Sequence, residues 1–269
     1  MLTFYEHPLS PYARKVKIVL YEKGVPFECR FVNPYAGPDD PNWEAFLRAS
    51  PRREVPVLVD GDVRVFDSTI MADYAEERWP DPPTLPSSPA ERARVRMLEE
   101  LADTELEAVN WGLMEVMFFK RASGAQAEKL LGAARSQLAR LFGRLERELD
   151  GREWMNGAGF GRGDAAVYPH ITGSAGYGFG PSPQEFPRLC AWLARAAARP
   201  SVARESAEFA RFMAEMMAEA TRTGDGSPPV LQRQYRDHRL EWMMKSGGVE
   251  VVLAGLANGT IKFATGHGE

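Results

Sequence analysis

Ser10 and Pro11 follow a short run of strand-forming residues and are the first pair in the chain that could do chemistry. A serine suits the N-cap of a helix and a proline its first turn, so a helix is predicted to begin here. Backbone N–H groups at a helix start favour an anion, and the serine hydroxyl can donate its proton to one. A thiol whose pKa of about 8.5 fell by two units there would gain roughly 2.7 kcal/mol for its thiolate. An ordinary helix cap would have the same residues, so the local sequence leaves both interpretations open.

Two further pairs combine a turn with groups that could hold a small peptide. Val55 and Pro56 precede an apolar strand-forming run. A cis bond between them would turn the chain and free the Val55 backbone for a bound peptide, although only about 5–6% of such bonds are cis. Asp67 and Ser68 stand at the start of a predicted helix, where the N–H groups can hold a carboxylate and Asp67 an ammonium group. A plain N-cap is the alternative for this second pair.

The elements that must position these pairs fall into two parts and an extension. Patterns in residues 1–80 predict the order β-α-β-α-β-β-α, including a hairpin around an Asp-Gly turn, and therefore a compact mixed sheet with helices. A proline-rich linker follows, and residues 90–222 show only helical spacing, which predicts an all-α domain. Residues 224–269 form an extension with a predicted helix from Leu231 to Lys245 and an apolar segment after two glycines. That extension has too much apolar surface to be a disordered tail.

The order and spacing of these motifs resemble the glutathione S-transferase family over about residues 1–205. The segments HPLSPYARKVKIVLYEKGVPFE and REVPVLVDGDVRVFDSTIMADYAEE are similar to the family's glutathione-binding domain. The resemblance implies an α+β thioredoxin-like N-terminal domain followed by an all-α helical-bundle domain. It also implies glutathione as co-substrate, activated by Ser10 as in the serine-type classes (theta, tau and zeta-like).

The resemblance assigns the glutathione contacts residue by residue. Val55, before a cis Pro56, would pair its backbone with the cysteinyl part. Asp67 and Ser68 would hold the γ-glutamyl end, and Arg53 would contact the glycyl carboxylate.

Other hydroxyls and one apolar helix complete the candidate site. Tyr5 lies near the position of the catalytic tyrosine in other classes of the family, and Tyr12 lies one turn into the site, so both remain alternatives to Ser10. Four apolar residues at helical spacing suit a helix core, and their upper part could line an electrophile pocket beside the thiol: Trp111, Met114, Met117 and Phe118.

The resemblance favours a transferase that directs the glutathione thiolate at a small apolar electrophile, with detoxification as its role and a homodimer as its state. The alternatives are a dehalogenase, isomerase or peroxidase variant, or a non-catalytic binding or scaffold protein. A thiol–disulfide oxidoreductase would need a cysteine at position 10, whereas the two cysteines of the chain are Cys29 and Cys190.

Composition excludes several other classes. The net charge of −4 gives no general basic field for nucleic acid. Apolar runs stay below the roughly 18 residues that a membrane span needs, and the first residues do not predict a secretory signal. Two cysteines cannot build a disulfide framework, so a cytoplasmic location is expected. The four histidines lack metal-ligand spacing, so no metal is predicted.

Overall fold

The structure is a computed structural model that describes residues 1–33, 37–223, 233–235 and 237–263. Its first part is a four-stranded sheet in the order β2-β1-β3-β4. Strand β1 runs parallel to β2 and antiparallel to β3, and β4 pairs antiparallel with β3. The strands are β1 (Leu2–Glu6), β2 (Phe27–Phe31), β3 (Val57–Asp60) and β4 (Val63–Phe66).

Helices cover both faces of this sheet, as the alternation of its side chains requires. The helices are α1 (Pro11–Glu22), α2 (Trp43–Ala49) and α3 (Ser68–Arg78), with a single 3-10 turn at Gly37–Asp39. Phe4 belongs to the core that α1 and α3 cover, whereas Tyr5 and Val57 pack with Phe46 of α2 on the other face. The predicted thioredoxin-like arrangement is confirmed.

The long regular elements of the described residues 89–223 are all helices, as the spacing predicted. These are α4 (Pro89–Leu101), α5 (Glu107–Met117), α6 (Gly124–Glu148), α7 (Arg162–Gly176), α8 (Pro187–Ala197) and α9 (Pro200–Thr223). A π-helical turn at Ala102–Leu106 interrupts the path from α4 to α5, a feature that helical spacing alone did not predict. Within the described part of the chain, no helix is both long and apolar enough to cross a membrane.

The proline-rich linker is held on both sides by hydrogen bonds. Lys23 Nζ donates to the carbonyl oxygens of Trp79 and Pro82 at 2.8 and 3.0 Å. The Thr84 hydroxyl donates to Glu76 at 2.6 Å, and the Thr84 carbonyl accepts from Arg162 N at 2.8 Å. This segment therefore fixes one domain against the other.

The glycine-rich loop before α7 surrounds a buried carboxylate. Asp164 accepts hydrogen bonds from the backbone N–H groups of Met155 and Gly161 and from Trp192 Nε1, at 2.8, 3.0 and 2.7 Å. A Cβ atom on Gly161 would lie 2.4 Å from the Thr84 carbonyl oxygen, so this close approach requires glycine. Burial raises the pKa of Asp164 to about 6, even though these donors lower it. The loop is thus a structural turn.

The C-terminal extension differs from its predicted helix. Helix α10 spans Asp237–Lys245, but Arg233–Tyr235 form a strand, β5, that pairs in parallel with β6 (Ile261–Phe263). The prediction of one helix from Leu231 was wrong over this strand, because the pairing is made with residues far along the chain. Leu231 itself lies outside the described residues. The glycine break is confirmed, and helix α11 (Val249–Ala257) follows it.

Candidate active site

Strand register brings the three predicted pairs to the same end of the strands, which we call the sheet edge. Tyr5 of β1 lies opposite Val57 of β3, and Val57 lies opposite Phe66 of β4. The segment after β1 that leads to α1, the Val55–Pro56 bond before β3 and the start of α3 after β4 therefore meet at the same end. The Val55–Pro56 peptide bond is cis, as the family resemblance implied.

Ser10 is the N-cap of α1, as predicted. Its Oγ accepts a hydrogen bond from the Ala13 N–H at 3.3 Å, and its backbone is extended. Pro11 occupies the first helical position, where its missing N–H costs nothing. The side chain is half-buried at the edge of the sheet. Because the Oγ accepts from the helix, the hydroxyl proton can be donated away from it.

His7 fixes the turn that leads to Ser10. Its carbonyl oxygen accepts from Ser10 N at 2.8 Å, and its Nδ1 accepts from Leu9 N at 3.2 Å. The ring packs against Phe31 of β2 and Phe212 of α9, with centroid distances of 5.1 and 5.4 Å. Burial lowers the pKa of His7 to about 4, which keeps Nδ1 an acceptor at neutral pH. This role was not predicted from the sequence, because no motif marks His7 and the spacing of the four histidines was relevant only to metal binding.

Asp67 is the N-cap of α3. Its carboxylate accepts from Thr69 N at 2.9 Å and from Ile70 N at 3.3 Å, and the residue is exposed. Ser68 is buried behind it. Asp67 and Arg53 have φ angles of 73° and 54°, and positive φ is uncommon for residues other than glycine. Such strain costs roughly 1–3 kcal/mol and often occurs at functional sites.

The two tyrosine alternatives lie in different surroundings from Ser10. Tyr5 is 5% exposed and packs at a ring centroid distance of 6.3 Å from Phe46, on the α2 face of the sheet. Tyr12 donates its hydroxyl to the Asp103 carbonyl oxygen at 2.8 Å, and its ring meets His170 edge-on. Both rings therefore have packing roles in the structure.

The four predicted pocket residues lie on α5 or directly after it, but they differ in burial. Trp111 is buried, Met114 and Met117 are half-buried, and Phe118 is 39% exposed. Phe118 packs edge-on against Phe119 at 4.9 Å between centroids. These four side chains thus range from a buried tryptophan to an exposed phenylalanine.

Buried ion pairs join α1 and α3 to the helical domain directly behind the site. Lys15 Nζ pairs with Glu99 at 2.9 Å and also with Asp103. Arg162 Nε pairs with Glu99 at 2.7 Å, and its other nitrogens contact Asp73 and the Thr69 carbonyl. Burial alone would lower the pKa of Lys15, but the attraction of Asp103 and Glu99 raises it. We call these five charged residues the seam.

Neither cysteine has the lowered thiol pKa that a nucleophile would need. Cys29 lies in β2 and Cys190 in α8. Burial raises the pKa of the Cys29 thiol, and the carboxylate of Glu6, to which it donates at 2.9 Å, raises it further. Burial also raises the pKa of Cys190. Among the described side chains, no group of histidine, cysteine and acidic residues is placed to hold a metal ion.

Comparisons with known proteins agree with this geometry. Residues 4–83 match the family described as glutathione S-transferase, N-terminal domain, and residues 109–200 match glutathione S-transferase, C-terminal domain. Glutathione S-transferase U6 of Arabidopsis thaliana is 30% identical over 192 residues, which cover 68% of this chain and 79% of that protein.

A second curated relative is not named as a transferase. The stringent starvation protein A homolog of Haemophilus ducreyi is 32% identical over 130 residues, which cover 48% of this chain. The match spans 56% of that relative's length.

A solved structure carries a glutathione derivative. The glutathione S-transferase of Methylobacterium radiotolerans, in complex with glutathione sulfonate, is 28% identical with a TM-score of 0.64. The match covers 76% of this chain and 93% of that one. With its domains, fold and relatives in agreement, this chain belongs to the glutathione S-transferase family, which binds glutathione.

Proposed function

We propose that this protein is a glutathione transferase in which Ser10 activates the thiol of glutathione. The observation that carries the proposal is the position of the Ser10 hydroxyl, which accepts from the start of α1 and can donate toward the sheet edge. The glutathione S–H bond ionises and its proton passes to water, while the Ser10 O–H donates a hydrogen bond to the thiolate. The sulfur then forms a bond to carbon in the electrophile, and the leaving group departs with the electron pair of its own bond.

The rest of glutathione would span the same edge. The Val55 backbone would pair with the cysteinyl residue, and the N–H and hydroxyl of Ser68 at the start of α3 would bind the γ-glutamyl carboxylate. Asp67 would pair with the ammonium group, and Arg53 with the glycyl carboxylate. The electrophile would bind against α5, at Met114, Met117 and Phe118, with Trp111 supporting them from the core.

An equilibrium measurement tests the activation step. Ultraviolet difference spectra at increasing pH report the thiolate of bound glutathione, and we expect its pKa well below the value of free glutathione. If the bound thiol titrates as it does in free glutathione, Ser10 does not activate it and the proposal fails.

We propose that two copies of the chain form a homodimer, since several large apolar side chains on β4, α3 and α4 are exposed. The side chains of Val63, Phe66 and Ile70 on β4 and α3 are 45%, 37% and 54% exposed, and Met97 of α4 is 56% exposed. Where such exposed apolar side chains adjoin one another, they mark an interaction surface. Light scattering should give about twice the chain mass of 30.0 kDa, and a mass near that of one chain would reject the dimer.

A second candidate is a non-catalytic binding or scaffold protein, which the relative named as a stringent starvation protein favours. Binding of glutathione with an unshifted thiol pKa and no turnover of any electrophile would support it. Conjugation, dehalogenation, isomerisation and peroxide reduction use the same thiolate, so a screen with mass detection of products would distinguish them. Detoxification and a cytoplasmic location remain part of the proposal.

A further inference from the structure

The C-terminal extension contacts the helical domain through one tryptophan on a glycine. The indole of Trp242 in α10 lies over Gly112 in the middle of α5. A Cβ atom at position 112 would stand 2.2 Å from the indole Cζ3 atom and 2.7 Å from Cη2. Glycine is unfavourable in the interior of a helix, yet α5 continues through Gly112 without a break. The absence of a side chain at this position therefore admits the indole.

Hydrogen bonds fix the indole in this position. Trp242 Nε1 donates to Gln137 Oε1 of α6 at 2.6 Å. Gln137 Nε2 donates in turn to the hydroxyl of Ser246 at 3.1 Å, and Ser246 N donates to the Trp242 carbonyl at 2.9 Å. Trp242 is 7% exposed and its neighbour Met243 is fully buried. These three hydrogen bonds join α10 to α6, in addition to its contact with α5.

Helix α5 is held on another side by α7. Asn110 Nδ2 donates to the His170 carbonyl at 2.8 Å, and the Ser174 hydroxyl donates to Asn110 Oδ1 at 2.7 Å. Trp111 lies between Asn110, which α7 holds, and Gly112, which α10 holds. Met114 and Met117 follow within two turns of the same helix. The position of these three side chains therefore depends on both contacts.

We propose that Trp242 is a positioning residue for the electrophile pocket, through which the extension sets the place of α5 and so the substrates that the pocket accepts. This inference rests on the proposed function, because it assumes that α5 lines the pocket. Trp242 does not touch glutathione in this scheme. Its loss should change binding of the apolar partner and leave binding of glutathione unchanged.

Equilibrium binding of two ligands tests the inference without turnover. S-hexylglutathione places an apolar chain where the electrophile would lie, whereas glutathione does not. The measured quantity is the ratio of their dissociation constants, determined by calorimetry on the full chain. We expect Trp242→Ala to weaken S-hexylglutathione binding by roughly 10-fold relative to glutathione, since the fit of a single methylene in an apolar pocket is worth about 10- to 200-fold. With 1-chloro-2,4-dinitrobenzene as electrophile, its KM should rise while the KM of glutathione stays unchanged.

Gly112→Ala gives an independent test of the contact itself. In the wild-type background the new methyl group displaces the indole, so we expect the same change in the ratio of dissociation constants. In the Trp242→Ala background the methyl group has room, and Gly112→Ala should then have no further effect on the ratio. Leu253→Ala on α11, at a side chain that is 60% exposed, serves as the control within the extension and should leave the ratio unchanged.

The outcomes separate this inference from the proposed function. If the wild-type protein binds neither ligand, the proposed function fails and this inference fails with it. If the wild-type protein binds both and Trp242→Ala leaves their ratio unchanged, only the positioning role is overturned. An equal loss of both ligands would also overturn it, because the extension would then act on general stability alone.

Discussion

Helices α1 and α3 each contribute to two regions, the sheet edge and the seam. The polar groups of the two regions have opposite roles. At the sheet edge lie the N-cap residues of these helices, Ser10, which is half-buried, and Asp67, which is exposed. Both accept hydrogen bonds from the first turn of their own helix. Five and six residues further along, Lys15 and Asp73 enter the seam and pair with charges of the helical domain. The same two helices thus present open donors and acceptors on one side and fully paired charges on the other.

This difference shows how the fold separates binding from rigidity. A group that must bind a ligand has to keep hydrogen-bonding capacity, whereas a group that holds two domains together has to use it completely. Removing a partner from a buried pair leaves an uncompensated charge and costs several kcal/mol, while an exposed pair contributes about 1 kcal/mol or less. Substitutions in the seam should therefore lower stability, and substitutions at the edge should lower activity.

The largest effect on stability is expected from Arg162→Leu. Arg162 is fully buried and pairs with Glu99 and Asp73, so its loss leaves the carboxylates of Glu99 and Asp103 to share Lys15 as their cation within the seam. We expect the free energy of unfolding to fall by about 3–5 kcal/mol, measured by urea denaturation. Arg96→Ala is the matched control, because Arg96 pairs with the same Asp73 but is exposed. A loss of similar size in the control would show that burial does not set the strength of the seam.

The largest effect on activity is expected from Ser10→Ala. The lost cap should cost about 1 kcal/mol of stability. Turnover should fall by about 10- to 1000-fold, as for the loss of one preorganised donor. Steady-state kinetics with saturating glutathione measure this change. Tyr5→Phe and Tyr12→Phe remove the alternative hydroxyls, and full activity of Ser10→Ala together with an inactive Tyr5→Phe variant would transfer the role to the tyrosine.

His7→Phe should alter how stability depends on pH. The folded state lowers the pKa of His7 to about 4 and so favours the neutral ring. The stability that this ring contributes is present above its unfolded pKa of about 6.5 and is lost as the pH falls toward 4. Between pH 7 and pH 5, wild type should therefore lose about 2 kcal/mol more than the phenylalanine variant.

Urea denaturation of both proteins at the two pH values gives this difference directly, since other titrating groups are shared and cancel. His7→Asn is the companion variant, because it does not titrate but can still accept from the Leu9 N–H. Identical pH profiles for wild type and His7→Phe would show that the packing of the ring against Phe31 and Phe212 does not disfavour its charged form.

Local sequence predicted the elements of the thioredoxin-like domain well. Ser10-Pro11 marked the start of α1, and the Asp-Gly turn marked the hairpin between β3 and β4 because turn chemistry is local. Long-range contacts were not predictable in this way. The pairing of β5 with β6 and the indole over Gly112 each depend on residues far apart in the sequence.

The candidate site shows the same limit. Register between neighbouring strands brings Ser10, Val55 and Asp67 to one edge, and for all three the family resemblance implies contacts with glutathione. His7 was missed, because its role comes from Phe212 of α9 and from a backbone N–H rather than from any motif. The seam was missed as well, since charges spaced along α1 and α4 look like solvated helix faces until the two domains are packed together.

The smallest effect is expected from Asp67→Asn. This variant tests whether the sheet edge binds glutathione through charge as well as through hydrogen bonds. Asparagine can still accept from Thr69 N and Ile70 N, and it tolerates the positive φ of this position, so the start of α3 should be kept. The variant loses only the negative charge that would pair with the glutathione ammonium. Because Asp67 is exposed, we expect that pair to contribute about 1 kcal/mol or less, which corresponds to a rise of roughly fivefold in the glutathione dissociation constant. Calorimetric titrations at low and high salt would measure it, and the difference between variant and wild type should shrink as salt screens the pair. Equal affinities at low salt would mean that Asp67 serves α3 alone, and the edge would then bind glutathione through its hydrogen-bond donors without a charge of its own.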